Sequence, residues 1–222
     1  MSNVTQNSMV RPTLPLQIRR LGQLEYGRVW RQMQAVSAAR NKSSPDELWL
    51  LQHAPVFTIG LNGSLEHLLH AGEIPVMHVD RGGQITYHGP GQLIAYVLLD
   101  LARRGMGVVE LVRGLEQSVL DLVADYGITA HTTPGAPGVY VDGRKLAAIG
   151  LRVKRGRCYH GLALNVAMDL EPFLRINPCG YPGLPVTQLH DLGITAALPE
   201  ISAALESHLT RILGYTVTAT PE

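Results

Sequence analysis

The residues best suited to chemistry are a cysteine and a lysine far apart in the chain. Cys179 stands in the run Ile176-Asn177-Pro178-Cys179-Gly180-Tyr181-Pro182-Gly183. Proline cannot complete a backbone ladder and glycine marks unusual dihedrals, so the run reads as a shaped loop, not a helix or strand interior. A thiol on such a loop faces a cleft, where its thiolate can attack an electrophilic carbon. Lys145 lies just past Asp142-Gly143. Strand alternation predicts Lys145, Ala147 and Ile149 on one face, with Leu146 and Ala148 on the other. If the first face is covered, desolvation lowers the pKa of the lysine. It can then take the thiol proton, stabilise the thiolate or shuttle a proton to an attacking amine. By spacing alone, the commoner fate of a lysine beside an Asp-Gly turn is a solvated one. Both readings stand at this point.

The third feature is Arg81-Gly82-Gly83-Gln84-Ile85-Thr86-Tyr87-His88-Gly89-Pro90-Gly91-Gln92. Paired glycines let a backbone approach a ligand closely, and Arg81, Thr86 and His88 add polar side chains. The segment matches neither the phosphate loop nor the dinucleotide fingerprint, and a plain glycine-rich turn is the competing reading. Cys158, inside the strand-like Arg157-Cys158-Tyr159-His160, reads as a buried structural thiol. The nine histidines show no paired metal spacing, and with no Cys-x-x-Cys a metal site is not expected. His88 and His160 are candidates to approach Cys179, though a lone histidine is more often a hydrogen-bonded structural residue. Arg152, Lys154, Arg155 and Arg157 form a basic cluster. That is usually a solvated turn; the sharper reading is a docking patch for an acidic carrier protein, which would make KM salt-sensitive.

These residues need elements to hold them. Leu14 to Leu21 reads as a strand and Tyr26 to Arg40 as a helix with Val29, Met33 and Val36 at helical spacing. Glu47 to Gln52, Val56 to Ile59 and Val76 to Asp80 read as strands. A loop with a short helix fills Gly60 to Gly72. Gln84 to Tyr87 and Gln92 to Leu99 are expected to pair around the Gly-Pro-Gly turn. Val108 to Tyr126 is the clearest helix, stopped at Gly127. Gly138 to Val141 and Arg144 to Gly150 flank Asp142-Gly143, a strong two-residue hairpin signal. Leu151 to Val153 and Cys158 to Val166 flank the basic tip. A helix over Leu198 to Leu213 and a strand over Tyr215 to Ala219 close the chain. The grouping predicts an α+β fold, a single domain with a mixed or antiparallel sheet flanked by helices.

The chain has 222 residues, 45% hydrophobic and 17% charged, enough for one sizeable core without disulfides or metal. A net charge of +1 gives no global field to recruit nucleic acid or anionic lipid. Two cysteines make no disulfide framework. Residues 1–13 read as a disordered tail ahead of a domain over 14–222, and no segment approaches the roughly 18 apolar residues of a membrane span. With no signal peptide visible, the expected location is the cytoplasm.

Four stretches together resemble the octanoyltransferases of lipoate biosynthesis, the lipoyl(octanoyl) transferases. They are Arg81 to His88 with Gly89-Pro90-Gly91-Gln92; Gly138 to Gly150; His160-Gly161-Leu162-Ala163-Leu164-Asn165; and Asn177-Pro178-Cys179-Gly180 with Val186-Thr187-Gln188. The likeness runs from about Leu16 to Leu213, with no departure in these stretches. The resemblance implies the biotin/lipoate ligase superfamily fold and transfer of an octanoyl group from octanoyl-acyl carrier protein. The implied acceptors are lysines on lipoyl domains of 2-oxoacid dehydrogenase subunits and on the glycine-cleavage H protein. It also implies a catalytic dyad at Cys179 and Lys145. The implied substrate pocket comprises Arg81 to His88, then Ala148, Ile149 and Gly150, then Gly161, Leu162 and Ala163. No cofactor is implied, since a thioester donor is already activated. The alternatives are an ATP-dependent lipoate-protein ligase on the same fold, a non-catalytic module that binds lipoyl domains or acyl carriers, and a Cys–His hydrolase.

Overall fold

The computed structural model describes residues 13–218, with the side chain of Cys179 outside the description. The tail expected over residues 1–13 therefore lies almost wholly outside the described residues, as does Ala219 of the last expected strand. The chain opens with β1 (Leu14–Leu24), α1 (Tyr26–Ala39), β2 (Asp46–His53) and β3 (Val56–Ile59). It continues through β4 (Val76–His78), β5 (Ile85–His88), β6 (Gln92–Asp100), the single turn α2 (Leu101–Arg104) and α3 (Val108–Ala124). The second half holds β7 (His131–Thr133), β8 (Ala136–Val141), β9 (Arg144–Lys154), β10 (Arg157–Asn165), α4 (Leu198–Leu213) and β11 (Tyr215–Thr218).

Eight strands form one mixed sheet in the order β11-β1-β2-β6-β10-β9-β8-β7, and β4-β3-β5 form a smaller one. Strand β1 is parallel to both β11 and β2, while the rest of the large sheet is antiparallel. This is the α+β arrangement expected from the grouping of elements. Every residue of β6 from Gln92 to Leu99 is buried, and its alternation divides two cores. Leu93, Ala95 and Val97 pack with Leu111, Leu115 and Val119 of α3 and with Leu205 and Leu209 of α4. Ile94, Tyr96 and Leu98 pack on the opposite face with Val29 and Met33 of α1. A strand covered on both faces must be apolar throughout, which explains the unbroken run.

The same burial overturns one sequence expectation. Strands β5 and β6 do not pair around Gly89-Pro90-Gly91. Strand β5 pairs with β3, matching Val56 with His88 and Ile59 with Ile85, whereas β6 sits between β2 and β10. Both edges of β6 are taken by β2 and β10, so β5 has no edge of it left to pair with. The Gly-Pro-Gly segment instead carries the chain from the small sheet to the centre of the large one. Gly91 has φ +84, and a Cβ there would collide with the Ala167 carbonyl. Its own carbonyl accepts from Val166 N and Ala167 N at 3.2 and 3.0 Å.

The hairpin read at Asp142-Gly143 is present. Both residues have positive φ, 49° and 74°, the type I′ geometry that matches strand twist. Arg155-Gly156 (φ 53° and 75°) turns β9 into β10 in the same way. Among the described residues, no helix is long and apolar enough to cross a membrane.

Candidate active site

Lys145 enters the fold as the second residue of β9, and a bulge decides where it points. Val139 pairs with Ala147 but Tyr140 pairs with Lys145, so Leu146 is an extra residue on β9. The expected alternation, with Lys145 sharing a face with Ala147 and Ile149, is therefore broken. Leu146 and Ala147 both belong to the core under α3 and α4, and Ile149 packs against it. Lys145 instead borders a cavity on the other side together with Ala148, Gly150 and Ile149, the last of which also touches that core. The two-residue period fails because an inserted residue shifts every later side chain by one face.

The lysine is not the solvated hairpin residue of the competing reading, being only 5% exposed. Its N–H donates to Pro185 O and its carbonyl accepts from Thr187 N, both at 2.9 Å. These bonds fasten it to the chain that follows the Cys179 loop. Nζ sits 5.3 Å from the Tyr140 ring centroid, within cation–π range. Gly138 makes room for the stem. Its φ is +141, and a Cβ there would stand 2.8 Å from Lys145 Cε and collide with the Ala147 carbonyl. The buried Glu116 of α3 accepts from Gly138 N–H at 3.0 Å, tying β8 to the helix.

The backbone of Pro178–Gly180 makes one 3-10 turn. It is anchored by Asn177 N–H to His67 O at 2.8 Å and by Tyr181 N–H to Pro178 O at 3.1 Å. Gly180 lies close against Gln84 and His67. Pro178 borders a small cavity together with Lys145, Thr86 and Asn165. Tyr181 borders a second space together with Lys145 and Gln84. Residues on either side of Cys179 thus share cavity walls with Lys145.

A cavity lies between the large sheet and the small one. Of the residues expected to wall a substrate pocket, Arg81 to Thr86, His88, Ala148 to Gly150 and Gly161 to Ala163 all line it, together with Lys145. Tyr87 does not line it. Its ring faces the other way, against Phe57 and Phe173 at centroid distances of 5.6 Å. Tyr26, Ile94, Tyr96 and His160 line the cavity as well. Sequence reading named His160 as a candidate to approach Cys179 and gave the other three no role. Ile94 and Tyr96 share a face by simple alternation on β6, a usable signal once that strand is known to be central.

The walls are joined by one chain of buried hydrogen bonds. His88 Nδ1 donates to Gln92 Oε1 at 2.7 Å. Gln92 Nε2 donates to Asn165 Oδ1 at 2.9 Å, and Asn165 Nδ2 donates to Thr187 O at 2.9 Å. Thr187 in turn holds Lys145. The glycine loop is fixed by Arg81, whose guanidinium donates to Thr58 O, Thr58 Oγ1 and Gly82 O at 2.6, 2.9 and 3.0 Å. Gly82 N–H donates to Leu151 O at 2.8 Å.

Burial sets the charges. Desolvation pushes His53 down to about 4, holds His88 well below the ordinary histidine range, and lowers His160 despite its Asp80 partner. These rings are neutral at pH 7. Burial also raises the Asp80 carboxyl, but hydrogen bonds from His160, Tyr159, Trp30 and Gln34 outweigh it and hold it below the usual carboxylate range. The Cys158 thiol, 0% exposed, is pushed by burial up to about 12, in keeping with a structural role. Arg152, Lys154, Arg155 and Arg157 line a groove of about 370 Å³ with Asp80 and Tyr159, at the opposite end of β9 from Lys145.

Against known proteins, residues 25–210 match the family model described as the lipoyl protein ligase A/B catalytic domain. An octanoyltransferase of Stutzerimonas stutzeri is 58% identical over 198 residues, covering 89% of this chain and 90% of the relative. One from Thiobacillus denitrificans is 57% identical over 204 residues, covering 92% and 94%. Among solved structures, a bipartite lipoate protein ligase from Thermoplasma acidophilum superposes with a TM-score of 0.74 at 16% identity, covering 95% of this chain and 88% of that one. The chain belongs to the lipoyl protein ligase A/B catalytic domain family.

Two outcomes test this description. The three buried histidines bind a proton more weakly folded than unfolded, so their stability contribution is complete above the ordinary value of 6.5. It is lost as pH falls toward about 4, where His53 protonates; that residue alone accounts for about 3 kcal/mol. Melting temperature should drop steadily across that window, and a flat profile would contradict the neutral, buried assignment. Gly138→Ala should lower stability by about 2 kcal/mol or more in urea unfolding. A variant within about 0.5 kcal/mol of wild type would show that no close approach exists there.

Proposed function

We propose that this protein is an octanoyltransferase of protein lipoylation, working in the cytoplasm without a cofactor. It takes an octanoyl group from octanoyl-acyl carrier protein and holds it as a thioester on Cys179. It then passes the group to a lysine of a lipoyl domain on a 2-oxoacid dehydrogenase subunit or of the glycine-cleavage H protein. The names of the relatives support the reaction class. The observation that carries the reading is the shared border: Pro178 and Tyr181, on either side of Cys179, line the same spaces as Lys145, and Lys145 also lines the cavity walled by the other three signature stretches.

The geometry supports a two-step exchange. Lys145 accepts the thiol proton, and the Cys179 thiolate adds to the thioester carbonyl. The bond from that carbon to the carrier sulfur breaks, and the carrier leaves as a thiol with the proton relayed by Lys145. The acceptor amine then attacks the new thioester. Its bond to Cys179 breaks, the amide forms, and the proton shed by the amine returns to Cys179 through Lys145. Ile94, Ile149 and Leu162 give the acyl chain apolar contacts, while Ala148, Gly150, Gly161 and Ala163 leave it room. Arg81 to His88 form the opposite wall, with Tyr87 supporting it by packing.

Incubation with octanoyl-loaded carrier protein, without ATP, should add one hydroxylamine-labile octanoyl group by intact-mass spectrometry. Cys179→Ala should abolish the adduct, and Lys145→Ala should slow its formation by a factor of 100 or more (general acid–base catalysis gives about 10²–10⁴). Labelling that appears only with ATP and free acid would establish ligase chemistry instead.

A further inference from the structure

The cavity has a definite far end. Its floor follows the β9–β10 pair, where Ala148 faces Ala163 and Gly150 faces Gly161. Lys145 borders one end, and His160 borders the other.

His160 is held with unusual care for a residue in a strand. Its φ is +63, a conformation that a bulky L-residue rarely adopts and that costs free energy. The ring is 1% exposed. Nε2 donates to Asp80 Oδ1 at 3.0 Å. The ring stacks on Tyr159 at 5.1 Å between centroids and meets Tyr96 edge-on at 5.8 Å. Asp80 is itself held by Trp30 at 2.7 Å, by Gln34 at 3.3 Å and by the Tyr159 hydroxyl. Nδ1 is buried with no hydrogen-bond partner among the described residues, so this nitrogen gains nothing from its position. Beyond the ring, Asp80 and Tyr159 line the basic groove. The His160–Asp80–Tyr159 layer is therefore the partition between the acyl cavity and that groove.

We propose that the His160 ring is the end stop that sets the acyl length the enzyme accepts, a specificity-determining residue distinct from the groups at the reacting carbonyl. The inference rests on the octanoyltransferase reading. A rigid ring closing this end of the cavity turns back a chain too long for the space in front of it. Its removal joins the cavity to the groove and lets a longer tail pass through.

The test compares kcat/KM for octanoyl, decanoyl and dodecanoyl carrier-protein donors. His160→Gly removes the ring at a φ that glycine adopts freely. His160→Asn keeps a smaller donor toward Asp80 in a residue that tolerates positive φ, so the test does not depend on a single variant folding. The dodecanoyl-to-octanoyl ratio should rise at least tenfold in the glycine variant. The decanoyl-to-octanoyl ratio should rise in the asparagine variant. Wild-type transfer of octanoate together with ratios in both folded variants within twofold of wild type would overturn the end stop alone. A wild type that transfers no octanoyl group would overturn the function and the end stop together.

Discussion

The site depends on keeping a lysine ammonium at the edge of an apolar cavity. Removing such a charge from water costs several kcal/mol unless nearby groups compensate, so a chain has reason to expose it. Here the exposure is prevented by the backbone. The bulge at Leu146 turns Lys145 away from the solvent side of its hairpin, and Gly138 leaves the gap through which its stem passes. Backbone hydrogen bonds to Pro185 and Thr187 then fix the strand end. The aromatic face of Tyr140 offers part of the compensation. On the proposed reading the thiolate of Cys179 offers the remainder, which is why the two residues are mutually dependent.

The same constraint explains why the signature stretches are separated in sequence yet function together. His88, Gln92, Asn165 and Thr187 form a single hydrogen-bonded line from the glycine loop through the two central strands to the segment that grips Lys145. Each amide in that line has both ends engaged. A buried network of this kind is stabilising only when complete, so a change at one stretch is felt at the others. The neutral histidines fit this scheme: a protonated ring would place a second cation beside Arg81 in the same cavity.

Much of this was legible in the residues themselves. Asp142-Gly143 announced the hairpin that presents Lys145, and the proline and glycine neighbours of Cys179 announced a shaped loop. The glycine-rich segment announced a wall that approaches a ligand closely. The family likeness then assigned these pieces to one pocket, all but one of whose expected residues line the cavity. What was not legible has physical causes. The bulge inserts one residue without changing composition, so alternation alone grouped Lys145 with Ala147, which the structure puts in the core. Apolar content on both faces of β6 signals a central strand, but a Gly-Pro-Gly turn looked like a hairpin because local turn chemistry does not report which sheet the next strand joins. His160 and Tyr26 reach the cavity through tertiary packing that no spacing rule encodes.

The central claim is that the Lys145 ammonium acts on the sulfur of Cys179, and the pH dependence of thiol alkylation measures this directly. Cys158 is buried and resists ionisation, so with two cysteines in the chain only Cys179 should react with iodoacetamide. The account predicts a reaction midpoint below the free-cysteine value of about 8.5 in wild type, moving upward in Lys145→Met. Identical midpoints in the two folded proteins would contradict it.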